Sequence, residues 1–289
     1  MRVKASQLSA TVAATAGACL LLFSMSGCSD NNNGITSPPT FNPVPVVTQD
    51  LLKAALERAV GISAGDPVPD GNAGLNLNMW ATVVDTAGVV VAVVYTGSKE
   101  GDQWQGSRII SAQKANTAMN FSLDGAYAGF SGLALSTANL YSATQPGGSL
   151  FGLQDANPIN EDVAYGGDIA NYGTSSDFMI GKRIGGTNVF GGGFALYDGA
   201  GNLVGAVGVS GDTSCADHAI GWKTRFYLNL DLVPAGVAPG GTDNIIYDID
   251  GSGTSASGFG HPHCLDATAE SAVAADLPAS FPVGSSAAP

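Results

Sequence analysis

Positive charge is what this chain has least of: 11 Lys and Arg stand against 24 Asp and Glu in 289 residues, a net charge of −13. Without a basic patch there is nothing to neutralise phosphates, so nucleic acid is excluded as a partner class. Cysteine, histidine and tryptophan are also scarce, with four, three and three copies. Long apolar runs are missing outside the first thirty residues. Signatures of catalysis are missing too, and no residue is assigned a catalytic role. Ser210 in Gly208-Val209-Ser210-Gly211 lacks the spacing of a nucleophile elbow. Asp248-x-Asp250-x-Ser252-Gly253 opens like a calcium loop, but Phe259 stands where the bidentate Glu is needed.

What is present begins with a targeting segment. Arg2 and Lys4 precede a short apolar core at residues 13–23, too short to span a bilayer as a mature helix. It closes on Met25-Ser26-Gly27-Cys28, which resembles a bacterial lipobox. The expectation is a signal peptide over residues 1–27, lipidation of Cys28, and an extracytoplasmic protein anchored in the outer membrane, as Ser29 after the cysteine favours. Cleavage there leaves nine basic against 24 acidic residues, a net −15. Residues 28–46, rich in Asn, Pro, Ser and Thr, read as a tether reaching roughly 25 Å as a coil. Residues 267–289, mostly Ala, Ser and Pro, read as a disordered tail.

Between them, residues 47–266 form one domain with no internal linker. Thr48 starts a helix whose Leu51, Leu52, Ala55, Leu56 and Ala59 share a face. Residues 108–121 read as a second helix. Two segments, residues 81–94 and 194–209, look like versions of one hairpin, with aliphatic runs around Asp85-Thr86-Ala87-Gly88 and Asp198-Gly199-Ala200-Gly201. Turn chemistry explains both aspartates. Residues 141–193, rich in Gly, Asn and Tyr, form a long insertion suited to a pocket wall or an oligomer contact. Trp104, Tyr141 and Tyr165 read as core aromatics. The sum is an α+β fold, a central antiparallel sheet flanked by helices.

Residues 205–218, G-A-V-G-V-S-G-D-T-S-C-A-D-H, join a strand to a helix capped by Asp212, Thr213 or Ser214. With Ala81-Thr82-Val83-Val84-Asp85-Thr86-Ala87-Gly88 and Lys114-Ala115-Asn116-Thr117-Ala118, this run resembles the HbpS/GlcG-like family of haem-binding domains, across residues 47–235. The resemblance implies a profilin-like sheet of about five strands, haem as cofactor, and homo-oligomers. It also leaves open an enzyme or accessory domain acting on a small oxidised organic molecule, or a purely structural oligomerisation module.

Cys215 and Cys264 are the pair left once Cys19 is cleaved off and Cys28 lipidated, and two thiols in an exported domain form a disulfide. A rival reading is a metal site, since Cys215-x-x-His218 and His261-x-His263-Cys264 offer up to five N/S ligands; oxidation would remove it. The bridge would gather His218, His261 and His263, all three histidines, into one neighbourhood. Imidazole is a good haem-iron ligand. These three are the expected cofactor ligands, with His218 foremost. No Cys-x-x-Cys-His occurs, so haem would be held without covalent attachment.

Overall fold

Two Asp-to-Gly turns organise the sheet. Asp85 Oδ1 accepts the backbone N–H groups of Ala87 and Val89, and Asp198 Oδ1 those of Ala200 and Asn202. Each folds a hairpin, β1 (Trp80–Asp85) onto β2 (Val90–Tyr95), and β3 (Gly193–Tyr197) onto β4 (Leu203–Ser210). The hairpins join where β1 pairs antiparallel with β4, giving the order β2-β1-β4-β3. Among the described residues the sheet has four strands, where about five were expected. The computed structural model describes residues 47–61, 71–124 and 132–284; the expected signal peptide, Cys28 and the expected tether lie outside them.

Helices cover both faces, which is why the strands read as nearly continuous apolar runs. Against one face lie α1 (Gln49–Val60) and α3 (Ser214–Tyr227), packing Leu52, Leu56, Ile220 and Trp222 on Ala81, Val83, Phe194, Val207 and Val209. The other face receives α2 (Gly106–Asn120), whose Ile109, Ala112 and Ala115 meet Trp80, Val84, Val93 and Ala206. This approach needs Gly208, because a Cβ there would collide with Ser111 O and Ala115 N. Thr82 and Ser111 share a hydroxyl hydrogen bond of 2.8 Å across the same contact. In α1, Leu51 departs from the expected face and is 56% exposed.

The outer edge of β2 is closed off, which removes a pairing hazard. Gln49 bonds both the N–H and the carbonyl of Val93, while Val90 exchanges bonds with Gly181 and Lys182 of the insertion. The insertion is mostly loops with four-residue helical turns at Tyr141–Thr144, Leu153–Ala156 and Glu161–Ala164. A buried ion pair pins it to α2. Arg108 Nε and Nη2 grip Asp177 at 2.9 and 2.5 Å, and the Tyr172 ring lies 3.6 Å from the guanidinium.

Two expectations fail here. Residues 267–280 are a helix, α4 (Ala267–Ser280), not a disordered tail. Asp266 caps it by accepting from Thr268 and Ala269, Leu277 is buried, and Phe281 O accepts from Trp222 Nε1. Nor are Trp104 and Tyr165 core residues; they are 57% and 66% exposed.

Candidate functional site

The candidate site grows from the turn between β4 and α3. Gly211 takes φ of 155°, and a Cβ there would strike Asn78 O and Met79. Asp212 then accepts the N–H groups of Leu75, Leu77 and Thr213, tying the approach to β1 onto this turn. Thr213 is the N-cap of α3, its hydroxyl accepting from Ala216 N. Cys215, Asp217 and His218 consequently face inward, and all three are buried.

Asp217 meets Lys114 of α2, whose Nζ donates to Asp217 Oδ2 at 2.6 Å and to Val209 O at 3.0 Å. Asp217 Oδ1 accepts from Asp212 N at 2.9 Å. Burial pushes the Asp217 carboxyl up to about 6 against the opposing pull of Lys114, and burial lowers Lys114 in turn. A second inward pair on α3 joins Arg225 to Asp243 in bidentate fashion at 2.6 and 2.7 Å.

Cys215 and Cys264 are bonded, with Cα atoms 6.1 Å apart. The bridge staples residues 261–266 to the start of α3, and Glu270 of α4 fastens the same loop from the other side. Its carboxylate accepts from the N–H groups of Cys264, Leu265 and Asp266 and lies 2.9 Å from His263 Nδ1. Burial works to raise the Glu270 carboxyl, yet these donors hold it below its usual range.

All three histidines flank the bridge, but they sit in different surroundings. His218 is fully buried against Phe194; its Nε2 lies 3.0 Å from Ile245 N and 3.1 Å from Asn244 Oδ1. Burial lowers its pKa to about 3. The cavity beside it, about 10 Å³, holds no more than a single water. His261, 1% exposed, donates from Nδ1 to Pro262 O at 2.7 Å and accepts at Nε2 from Ser214 Oγ at 3.1 Å. Burial lowers it to about 4.

His263 differs. Its side chain is 35% exposed and stacked on Tyr247 with ring centroids 4.0 Å apart. Glu270 holds Nδ1, and Nε2 makes no hydrogen bond among the described residues. Burial thus separates the three expected ligands: His218 and His261 are enclosed, and the accessible imidazole is His263.

The insertion does form a pocket wall, though elsewhere. With Asn116, Asn120 and Phe121, its Leu153, Asn157 and Arg183 line an open groove of about 580 Å³ with no histidine, cysteine or methionine on its walls. Missing from the sequence reading as site residues are Lys114, Asp177, Asp243 and Glu270. The available signal was Arg108 and Lys114 standing in an Ala-rich helix of a chain so poor in cations.

The Klebsiella pneumoniae protein ORFY, a DUF336 protein, is 22% identical with a TM-score of 0.39, over 63% of this chain and 90% of that one. A PduOC:heme complex is 19% identical with a TM-score of 0.40, over 63% of this chain and 91% of that one. No curated protein matches. The family described as haem degrading protein HbpS-like matches residues 71–224, from the approach to β1 to the penultimate turn of α3. That is more than half of the chain, and it contains the whole sheet, Lys114 and Asp217. The protein belongs to the HbpS-like family.

Proposed function

We propose that this is a haem-binding protein, carried outside the cytoplasm on a lipidated Cys28, with His263 as the iron ligand. The observation that carries the ligand assignment is the state of the His263 ring. Its Nδ1 is held by the Glu270 carboxylate while Nε2 is left open at the surface. A carboxylate on the far nitrogen fixes tautomer and orientation and raises ligand basicity, the arrangement metal-bound imidazoles use. His218 and His261 have their Nε2 atoms engaged and enclosed. Membership of a family described by haem degradation supports haem as the ligand. A disulfide beside the site suits an oxidising compartment.

Hemin titration of the purified full-length protein tests the reading. A saturable Soret shift is expected in the wild type, retained in His218→Gln and His261→Asn, and weakened tenfold or more in His263→Ala. An unchanged band in His263→Ala removes His263 as ligand, and no saturable shift in the wild type sinks haem binding itself.

A second reading rests on the 580 Å³ groove, where Arg183 offers a cation to a small oxidised organic molecule such as a hydroxy or keto acid. Thermal stabilisation by such an acid, lost in Arg183→Gln, would support it. Homo-oligomers belong to both readings, and light scattering on the purified protein measures them.

A further inference from the structure

Cys215, His261 and Cys264 place their Sγ, N and Sγ donor atoms within 4.8 Å of one another. Of the five N/S ligands these motifs could supply, the fold gathers these three and turns the other two away. His218 points to Ile245, and His263 to Glu270. We propose that this trio is a latent zinc site, closed while the disulfide stands and opened when a dithiol reductant breaks it.

The orientation of His261 carries the proposal beyond proximity. Its Nδ1–H is spent on Pro262 O, so the lone pair is on Nε2. A metal-bound histidine has this same second contact, a backbone carbonyl fixing the tautomer from behind. Nε2 accepts from Ser214 Oγ, which itself lies 3.4 Å from Cys264 Sγ. The serine hydroxyl thus lies beside two of the three donors, a weak oxygen ligand that water can replace. Two thiolates, one imidazole and an exchangeable oxygen make a tetrahedral set suited to Zn²⁺.

Cys264 Sγ also receives the Cys215 N–H at 3.2 Å, at the first turn of α3. That contact and the positive end of the helix favour its thiolate. Cys264 is only half-buried, so a reductant can reach it, whereas Cys215 is buried.

The chemistry balances. A dithiol passes two electrons and two protons to the Cys215–Cys264 bond and closes to its own disulfide, leaving two thiols. Zn²⁺ then displaces those two protons as it binds. The site and the proposed haem ligand are separate, since His263 is not a member of the trio.

Cobalt(II) is the probe, because thiolate-bound tetrahedral cobalt absorbs strongly where hydrated cobalt does not. The full-length chain carrying Cys19→Ser and Cys28→Ser keeps only the two thiols in question. Reduced with a phosphine, it should take up one equivalent of Co²⁺ with thiolate charge-transfer and intense d–d bands, displaced by one equivalent of Zn²⁺. The oxidised form should show neither.

His261→Asn keeps a donor near the Nδ1 position and lacks Nε2; it should bind at least tenfold more weakly, while His263→Ala binds like its parent. Near-ultraviolet circular dichroism of the oxidised variants checks that they are folded. The proposal is overturned if the reduced protein shows no thiolate–cobalt band. It is equally overturned if His261→Asn binds as tightly as its parent, or if His263→Ala costs as much as His261→Asn.

Discussion

His218 and His261 stay neutral in the fold down to about 3 and about 4 because burial disfavours their charge. The unfolded chain protonates both below about 6.5. Each therefore contributes stability that is full above 6.5 and lost as pH falls. Asp217 and Asp231 act in the opposite sense. Burial lifts both to about 6, so between there and their unfolded value of 3.8 the folded state holds protons the unfolded state releases. From about pH 6 to 4.5 the two effects oppose each other, which flattens the dependence of stability on pH. His261→Asn should make stability rise toward acid across that window, and Asp231→Asn should make it fall. Urea unfolding midpoints at several pH values measure it; equal slopes in both variants would refute this balance. At this scale the cysteines were legible, because removing Cys19 and Cys28 leaves one pair. Burial was not. His218 and His263 look alike as letters, and only packing separates a histidine against Phe194 from one open to water.

At the scale of elements, the hairpins were readable because Asp85 and Asp198 are turn formers between β-branched runs. The strand-to-helix switch at Ser210-Gly211 was readable from its cap residues. α4 hides in the sequence because its Ala and Ser also compose disordered tails, although alanine is the strongest helix former and Asp266 an apt cap. The partners of the buried cations were invisible, since Arg108 and Asp177 are 69 residues apart and Lys114 and Asp217 are 103 apart. Glu270 shows what the missed helix does. Its carboxylate serves three backbone donors of the loop carrying Cys264, so Glu270→Ala should cost about 1.5–3 kcal/mol in urea unfolding and raise hydrogen exchange at residues 264–266. Arg108→Ala would leave Asp177 buried and unpaired, a loss of about 3–5 kcal/mol, with exchange rising through the insertion as well as in α2. Exchange confined to α2 would mean the insertion is held by other contacts.

For the molecule as a whole, the anchor reading makes a direct prediction. Cys28→Ala should move the protein from the membrane fraction to the soluble one, since no helix among the described residues is long and apolar enough to cross a membrane. A variant that still sediments with membranes would refute anchoring through Cys28. The Cys215–Cys264 bond spans 49 residues, and its reduction should lower stability by about 2–4 kcal/mol, read as a fall in melting temperature.

The Lys114–Asp217 bond has a temporal consequence. It reaches past the end of β4 to join α2 on one face with α3 on the other, so neither charge can leave water until both layers have docked. A contact of such long range belongs to the downhill side of the folding barrier, formed after the hairpins and helices have already met. It should then act as a kinetic latch. Lys114→Met should speed unfolding roughly a hundred- to a thousandfold while leaving the refolding rate nearly unchanged. Where unfolding is followed by irreversible loss, that latch sets how long one molecule lasts.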